Sequence, residues 1–392
     1  MAERLRILAI DVGTSRVKAG LVGADGRVTA VRTAPRARGP RATLGTVIAF
    51  LRSFAPLGYD AVALTAYMAH AFLLDGEGGV IGATDAPARP ADAAALDPDG
   101  DLGRRTGYGP EHVSLRSWWW VARSRGEPLL ARVRTILPVK DALLAALGAP
   151  IGTDPASAGS LGLWDIGADD WDHPLLDRLG IAPSLLPPVE APTARAGALR
   201  PELGLPGPIP LVRGSGDGLA GSYGVSDLSA GTRYVNLGTH GVYRTAAERV
   251  PEDARFAYPT GLGGVLAGLN VPNLGRQLRA LGDGTPEHAR LETLLAPLVR
   301  WHWAHAAGSA ERPGHADAVW LMGGGSATEG LAQILADALG STVLLAEGEP
   351  TLVGAARLAA GASVPTAPLA RRVMPASARG GREWAEAPER SG

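Results

Sequence analysis

The chain has 392 residues and a formal net charge of −1, enough length for two domains with sizeable cores and no basic excess that would advertise a nucleic acid. Cysteine is absent, which excludes disulfides, thiol catalysis and thiolate metal sites and makes a cytoplasmic setting the expectation. No signal-type apolar region follows Met1 and no stretch reaches the length of a membrane span, so no membrane partner is expected.

Strands are predicted over 5–10, 17–22 and 28–31, a meander that turns at Asp25 and Gly26. The first strand ends on Asp11. The turn Gly13, Thr14, Ser15 follows, and Lys18 stands early in the second strand. A carboxylate, two hydroxyls, free backbone N–H groups and an ammonium thus gather at one strand end. Such a set suits a polyphosphate with its metal, the N–H groups and Lys18 toward phosphate oxygens and Asp11 toward Mg²⁺. It is not a Walker loop, because neither a Gly-Lys-Ser/Thr nor a helix follows the turn. Read alone, it is more often an ordinary turn.

Next come a predicted amphipathic helix over 44–54, strands over 61–65, 72–74 and 80–81, and a polar, turn-rich stretch over 85–109 that lies over a cleft. A helical stretch begins at Trp118. A further helix falls within 131–147 and stops at Gly148. A short strand over 161–166, a helix over 171–179 and a proline-rich connection over 183–203 complete the first half.

The second half opens with a strand over 209–213, a turn over 214–218 that carries Asp217, and a small-residue helix over 219–224. A strand over 234–237, the turn Gly238, Thr239, His240, Gly241 and a strand over 242–244 repeat the opening device. A strand over 319–322 runs into Gly323, Gly324 and Gly325, a helix through Leu331, Ile334, Leu335 and Leu339, and a strand over 343–345. From 366 the chain is rich in Arg, Ala, Gly and Glu and is expected to be a loosely packed tail.

Four glycine-bearing strand ends now stand in order. Asp217, in an open turn, can reach a hydroxyl, or it can simply cap the helix that follows. Gly323 to Gly325 allow a close approach of a ribose or purine, or only close packing of a helix on a strand. In this order the motifs resemble the FGGY carbohydrate kinases of the actin-like ATPase superfamily. Asp11 to Ser15 with Lys18, Ala19 and Gly20 is similar to the family's first phosphate motif. The stretch 214–218 is similar to the segment with its catalytic base, 237–241 to its second phosphate motif, and 323–340 to its adenosine motif. Leu137 to Asp141, Thr153, Asp154, Ser157 and the stretch from Trp164 to Pro188 also resemble the family.

The resemblance implies an α/β fold of two actin-like (ribonuclease H-like) lobes, each a mixed β-sheet flanked by helices, with an active-site cleft between them. It implies an N-terminal lobe with a sugar-binding region over 1–207, a nucleotide-binding lobe over 208–365, and the tail over 366–392. The implied activity is ATP-dependent phosphorylation of a hydroxyl on a small sugar, polyol or related metabolite. In that reading Asp217 is the general base and a substrate contact. Gly13, Thr14, Ser15, Lys18, Gly238, Thr239, Gly323, Gly324 and Gly325 hold ATP, Asp11 holds Mg²⁺, and Met68 and Asp85 touch the acceptor. A homodimer is compatible with it. The alternative is a nucleotide-binding sensor, or pseudokinase, without phosphoryl transfer.

The sequence departs from the family on the acceptor side. Tyr67, Met68, Ala69 and His70 stand where a Gln-Met-His-type segment is expected, and 83–87 with Arg89 replaces a Trp-x-Asp-x-Arg pattern. His240 replaces a serine, and Gly218 adds no side chain after Asp217. Some helical text between the motifs is missing, so the acceptor stays open.

Overall fold

The computed structural model describes residues 5–84, 94–205, 207–280, 288–306, 318–328 and 330–376. Two large mixed sheets organise the chain. The first has six strands in the order Arg195–Ala198, Pro210–Val212, Ala61–Ala66, Arg6–Val12, Arg16–Gly23, Val28–Pro35. The run Ile7 to Ile10 is apolar on both faces because Arg6–Val12 is central, antiparallel to Arg16–Gly23 and parallel to Ala61–Ala66. The second has seven strands in the order Phe256–Pro259, Val265–Val271, Gly241–Ala247, Arg233–Leu237, Ala318–Met322, Thr342–Ala346, Leu369–Val373.

The two sheets share one design. Each has an antiparallel hairpin whose first strand pairs in parallel with a later strand. The hairpin turns, Gly13 to Ser15 in one and Gly238 to His240 in the other, therefore occupy the same place in each sheet. This is the two-lobed architecture expected from the motifs.

The second lobe is expected from 208. Pro210–Val212 pairs in parallel with Ala61–Ala66, so it belongs to the first sheet. An apolar three-residue strand carries no mark of the sheet it will join. The chain leaves the first sheet only at 213–217. Helix Pro350–Ala360, from the far end of the sequence, returns to that sheet: Leu352, Ala355 and Ala356 pack with Ile7, Ala9, Val22 and Ala63. It crosses helix Asp217–Val225 at backbone distance. A Cβ on Gly224 would stand 1.9 Å from the Pro350 carbonyl oxygen, and one on Gly354 1.7 Å from that of Ala220.

Two local expectations also change. The helix expected within 131–147 occupies only Val139–Leu147, because Thr135–Pro138 is a strand paired with Ala71–Leu74. Pro138 favours extended backbone before it and a helix after it. The tail expected to be loose from 366 carries strand Leu369–Val373, antiparallel to Thr342–Ala346, with Val373 buried. Its arginines face outward on an edge strand, which hides the pairing from a composition-based reading. The rest of that expected tail, 377–392, lies outside the described residues.

Candidate active site

The opening hairpin ends near the Asp217 turn, where Tyr67 N–H donates to the Val12 carbonyl at 3.0 Å and Ala66 bridges Gly216. Asp11 pairs across the strands with Lys18 and lies beside Thr65 of the parallel neighbour. Gly13 N–H donates to the Arg16 carbonyl at 2.9 Å, while Thr14 and Ser15 are exposed. Arg36 braces the turn: its Nε donates to the Thr14 carbonyl at 2.9 Å and its backbone N–H to that of Ser15 at 2.9 Å. Asp11 Oδ1 and Thr65 Oγ1 are buried without a hydrogen-bond partner. Burial pushes the Asp11 carboxyl up to about 8, helped by the nearby Asp217 carboxylate and opposed by Lys18. A buried, unsatisfied carboxylate oxygen next to exposed turn hydroxyls fits a Mg²⁺ that arrives with its nucleotide. Among the described residues no group of three or more His, Asp or Glu forms a metal cage, so the fit is of that shared kind. Lys18 is already engaged, its Nζ 2.6 Å from Glu349 Oε2.

Asp217 sits at the first position of its helix, and Gly216, not Asp217, is the N-cap. The capping role is thus taken by another residue. Gly214 holds a positive φ of 64°, where a Cβ would stand 2.5 Å from the Leu64 carbonyl, so the turn lies flat on the first sheet. Burial raises the Asp217 carboxyl above the ordinary range, against the pull of the Arg244 guanidinium and a hydrogen bond from the Gly218 backbone.

Residues ahead of Asp217 are clamped by a buried network. Ser215 Oγ donates to Asp154 Oδ2 at 2.6 Å, and Lys140 Nζ donates to the Arg213 carbonyl at 2.8 Å and to Asp141 Oδ1 at 2.5 Å. Thr153 Oγ1 donates to Asp141 Oδ2 at 2.6 Å, and Arg213 Nη2 to Glu190 Oε2 at 2.8 Å. Lys140, Asp141, Thr153 and Asp154 lie between the motifs in sequence; here they hold the turn that carries Asp217.

The second hairpin turn is closed by Gly238 N–H donating to the His240 carbonyl at 3.0 Å. His240 Nδ1 accepts from Asn273 N–H at 3.1 Å, so His240 is used to fix the start of helix Leu274–Arg279. Thr239 is partly exposed beside it. Gly323 and Gly325 serve close packing: Cβ atoms there would stand 2.4 Å from Asn236 Oδ1 and 2.8 Å from Leu237 Cβ. Gly324 faces open space.

On the acceptor side Met68 lies on Gly216, whose Cβ would be 2.3 Å from Met68 Cγ, so Met68 adjoins Asp217. Asp85 lies outside the described residues. His70 Nδ1 is 2.8 Å from the Thr84 carbonyl oxygen, a structural bond. Trp119 is buried with Nε1 donating to the Leu179 carbonyl, and Trp118 and Trp120 pack on the same core. His302 Nδ1 stands 2.7 Å from Tyr243 Oη inside the second lobe.

Reading the sequence missed Arg244, Tyr258 and Glu349. Arg244 had one visible signal, a cation two residues after Val242 on a strand that is otherwise apolar or small.

Two sheets of this shared design, with the Asp217 turn where the chain passes from one to the other, define a two-lobed protein of actin-like fold. The family model for the FGGY family of carbohydrate kinases, N-terminal domain, matches residues 112–224, and that for its C-terminal domain matches 262–363. The chain belongs to the FGGY family of carbohydrate kinases. It is 30% identical over 289 residues to a xylulose kinase of Streptomyces rubiginosus, covering 66% of this chain and 57% of that relative. It is 32% identical over 124 residues to an autoinducer-2 kinase of Klebsiella pneumoniae, covering 31% of this chain and 23% of the relative. The chain thus spans less than two thirds of the length of these relatives. Among solved structures, a gluconate kinase from Lactobacillus acidophilus superimposes with a TM-score of 0.81 at 16% identity, covering 97% of this chain and 94% of that one. A xylulose kinase from Rhodospirillum rubrum gives 0.80 at 19%, covering 97% and 96%. At such identities the likeness concerns the fold. No helix among the described residues is long and apolar enough to cross a membrane.

Proposed function

We propose that the chain is an ATP-dependent kinase acting on a hydroxyl of a small sugar, polyol or related metabolite. The observation that supports this reading is geometric: Asp11 lies beside Thr65, and the next residue, Ala66, bridges Gly216, so the Asp217 turn and the Asp11 strand end come together. Asp217 takes the proton of the attacking hydroxyl as the hydroxyl oxygen bonds to the γ-phosphorus and the bond from that phosphorus to the β,γ-bridging oxygen breaks, releasing ADP. Burial raises this carboxyl, and the Arg244 guanidinium opposes the rise by favouring its ionised form. Backbone N–H groups and hydroxyls at Thr14, Ser15 and Thr239 hold the phosphates, on turns that the Gly13 and Gly238 N–H bonds close. Gly324 borders the nucleoside, while Gly323 and Gly325 let that loop lie close to Asn236 and Leu237. Asp11 would hold Mg²⁺, which when bound neutralises phosphate charge. Met68 lines the acceptor side next to the base.

The test is a coupled ADP-release assay over a panel of sugars and polyols with Asp217→Asn alongside. Acceptor-dependent release in the wild type that falls by about 10²–10⁴-fold in the variant supports the reading. Release that the variant leaves intact removes Asp217 from the chemistry. The alternative is a nucleotide sensor without transfer. It requires ATP binding with no turnover of any acceptor.

A further inference from the structure

Gly218 brings no side chain to the space beside Asp217, but the second sheet fills it. A Cβ on Gly218 would stand 2.7 Å from Tyr258 Oη and 2.8 Å from Arg244 Nη2. The two side chains come from strands on either side of Val265–Val271. Arg244 and Phe256 both pair with Gly268, and Ala246 and Tyr258 both pair with Leu266, which sets Arg244 and Tyr258 on adjacent rows.

Both are buried, Arg244 to 8% and Tyr258 to 2% relative exposure. Arg244 Nε and Nη1 and Tyr258 Oη have no hydrogen-bond partner among the described residues. A guanidinium cannot shed its charge, and bare buried donors are unfavourable until an acceptor reaches them. Asp217 balances the charge in part, yet a base must keep its oxygens for the incoming hydroxyl. The cluster therefore lacks one small, singly charged acceptor group. A neutral polyol leaves the guanidinium bare. A phosphate dianion has one cation to meet and the Asp217 carboxylate to repel it.

We propose that Arg244 and Tyr258 form an acid-recognition subsite, so that the acceptor is a hydroxylated carboxylic acid whose carboxylate meets the guanidinium and phenol. Its neighbouring hydroxyl then faces Asp217, and this second half rests on the kinase reading above. Arg244 and Tyr258 act as specificity residues. Charge-assisted bonds to a carboxylate are among the stronger ones available, and a site built for them rejects the analogue that lacks the group.

The experiment compares matched acceptors: glycerol, glycerate and glycerol 3-phosphate, then xylitol and xylonate. ADP release and calorimetric binding are both read, for the full chain and for Arg244→Met and Tyr258→Phe. ATP binding by calorimetry reports that each variant is folded, and Tyr258→Phe, which removes one hydroxyl, stands in if Arg244→Met fails to fold. The expected result is a preference for one of the acids over its neutral partner and over the phosphate of about 10²-fold or more in kcat/KM. Arg244→Met should reduce that preference to about threefold or less, and Tyr258→Phe should reduce it about tenfold. Equal or better use of the neutral polyols, or of glycerol 3-phosphate, overturns the acid subsite and leaves the kinase reading standing. Acid binding that Arg244→Met abolishes, with no turnover, supports the subsite and sinks the kinase reading. No acid bound and none turned over overturns the subsite.

Discussion

Lys18 Nζ stands 2.6 Å from Glu349 Oε2, tying the second strand of the first sheet to the residue ahead of helix Pro350–Ala360. The pair joins chain segments 331 residues apart at the edge of the cleft. Both side chains keep about a third of their exposure, 30% and 32%, so the pair contributes at most about 1 kcal/mol to stability. Its importance is in what it withholds, because an ammonium held by Glu349 is not fully available to phosphate.

Glu349→Gln should therefore tighten ATP binding several-fold, and Lys18→Met should weaken it about tenfold. Urea midpoints of both variants should differ little from the wild type. Calorimetric ATP titrations check the first two outcomes. An unchanged Kd in Lys18→Met would remove Lys18 from phosphate contact.

Rate should depend on pH through Asp217. Burial raises its carboxyl, so kcat/KM falls on acidification at a pH above the ordinary carboxylate range. The Arg244 cation favours the ionised form. Arg244→Met should move the acidic limb of the profile to higher pH, since less of the base is ionised at any given pH. A pH–rate profile of both proteins reads this directly.

Asp11 gives a stability signature. Its folded-state carboxyl titrates at about 8, above the ordinary 3.8, so the fold favours the protonated form. The resulting stability is fully present below about pH 4 and is lost as pH rises toward and through 8. The ligand-free wild type should melt lower at pH 8 than at pH 5. Asp11→Asn, which keeps the shape without the charge, should flatten that dependence and raise Tm at pH 8. A chain of this size gains at most about 2–4 °C per kcal/mol recovered. Thermal melts across pH 4–9 test it, and parallel slopes for the two proteins would contradict it.

The Ser215–Asp154 bond links stability to the position of the base. Asp154→Ala takes one of two carboxylates from buried Lys140 and the acceptor from Ser215. It should destabilise by about 3–5 kcal/mol. Ser215→Ala removes one buried bond and should destabilise by about 1–3 kcal/mol, with a drop in kcat larger than the change in ATP affinity. Denaturant midpoints with kinetics at saturating ATP measure both.

Much of this was legible in order along the chain. Turns at 13–15 and 238–240 follow from glycine and hydroxyl residues between apolar strands, and both form. Asp217 falls in a strand-to-helix turn whose glycines mark the junction. Met68 lies against Gly216, which has no side chain to exclude it. Pro210–Val212 lies in the stretch expected for the second lobe yet pairs in the first sheet, and Leu369–Val373 lies in the stretch expected to be loose yet pairs as a strand. In both cases a short segment gains its place from a partner strand far away in sequence.

Local residue patterns, by themselves, determined where strands end, which turns expose N–H groups and which carboxylates stand at those turns. Those properties depend on neighbours a few residues apart. Only the tertiary structure decided that Glu349 engages Lys18, that Asp154 steadies Ser215, and that Arg244 and Tyr258 fill the space Gly218 leaves. Each of those contacts joins distant segments, and its strength depends on a burial and a distance that no sequence spacing encodes.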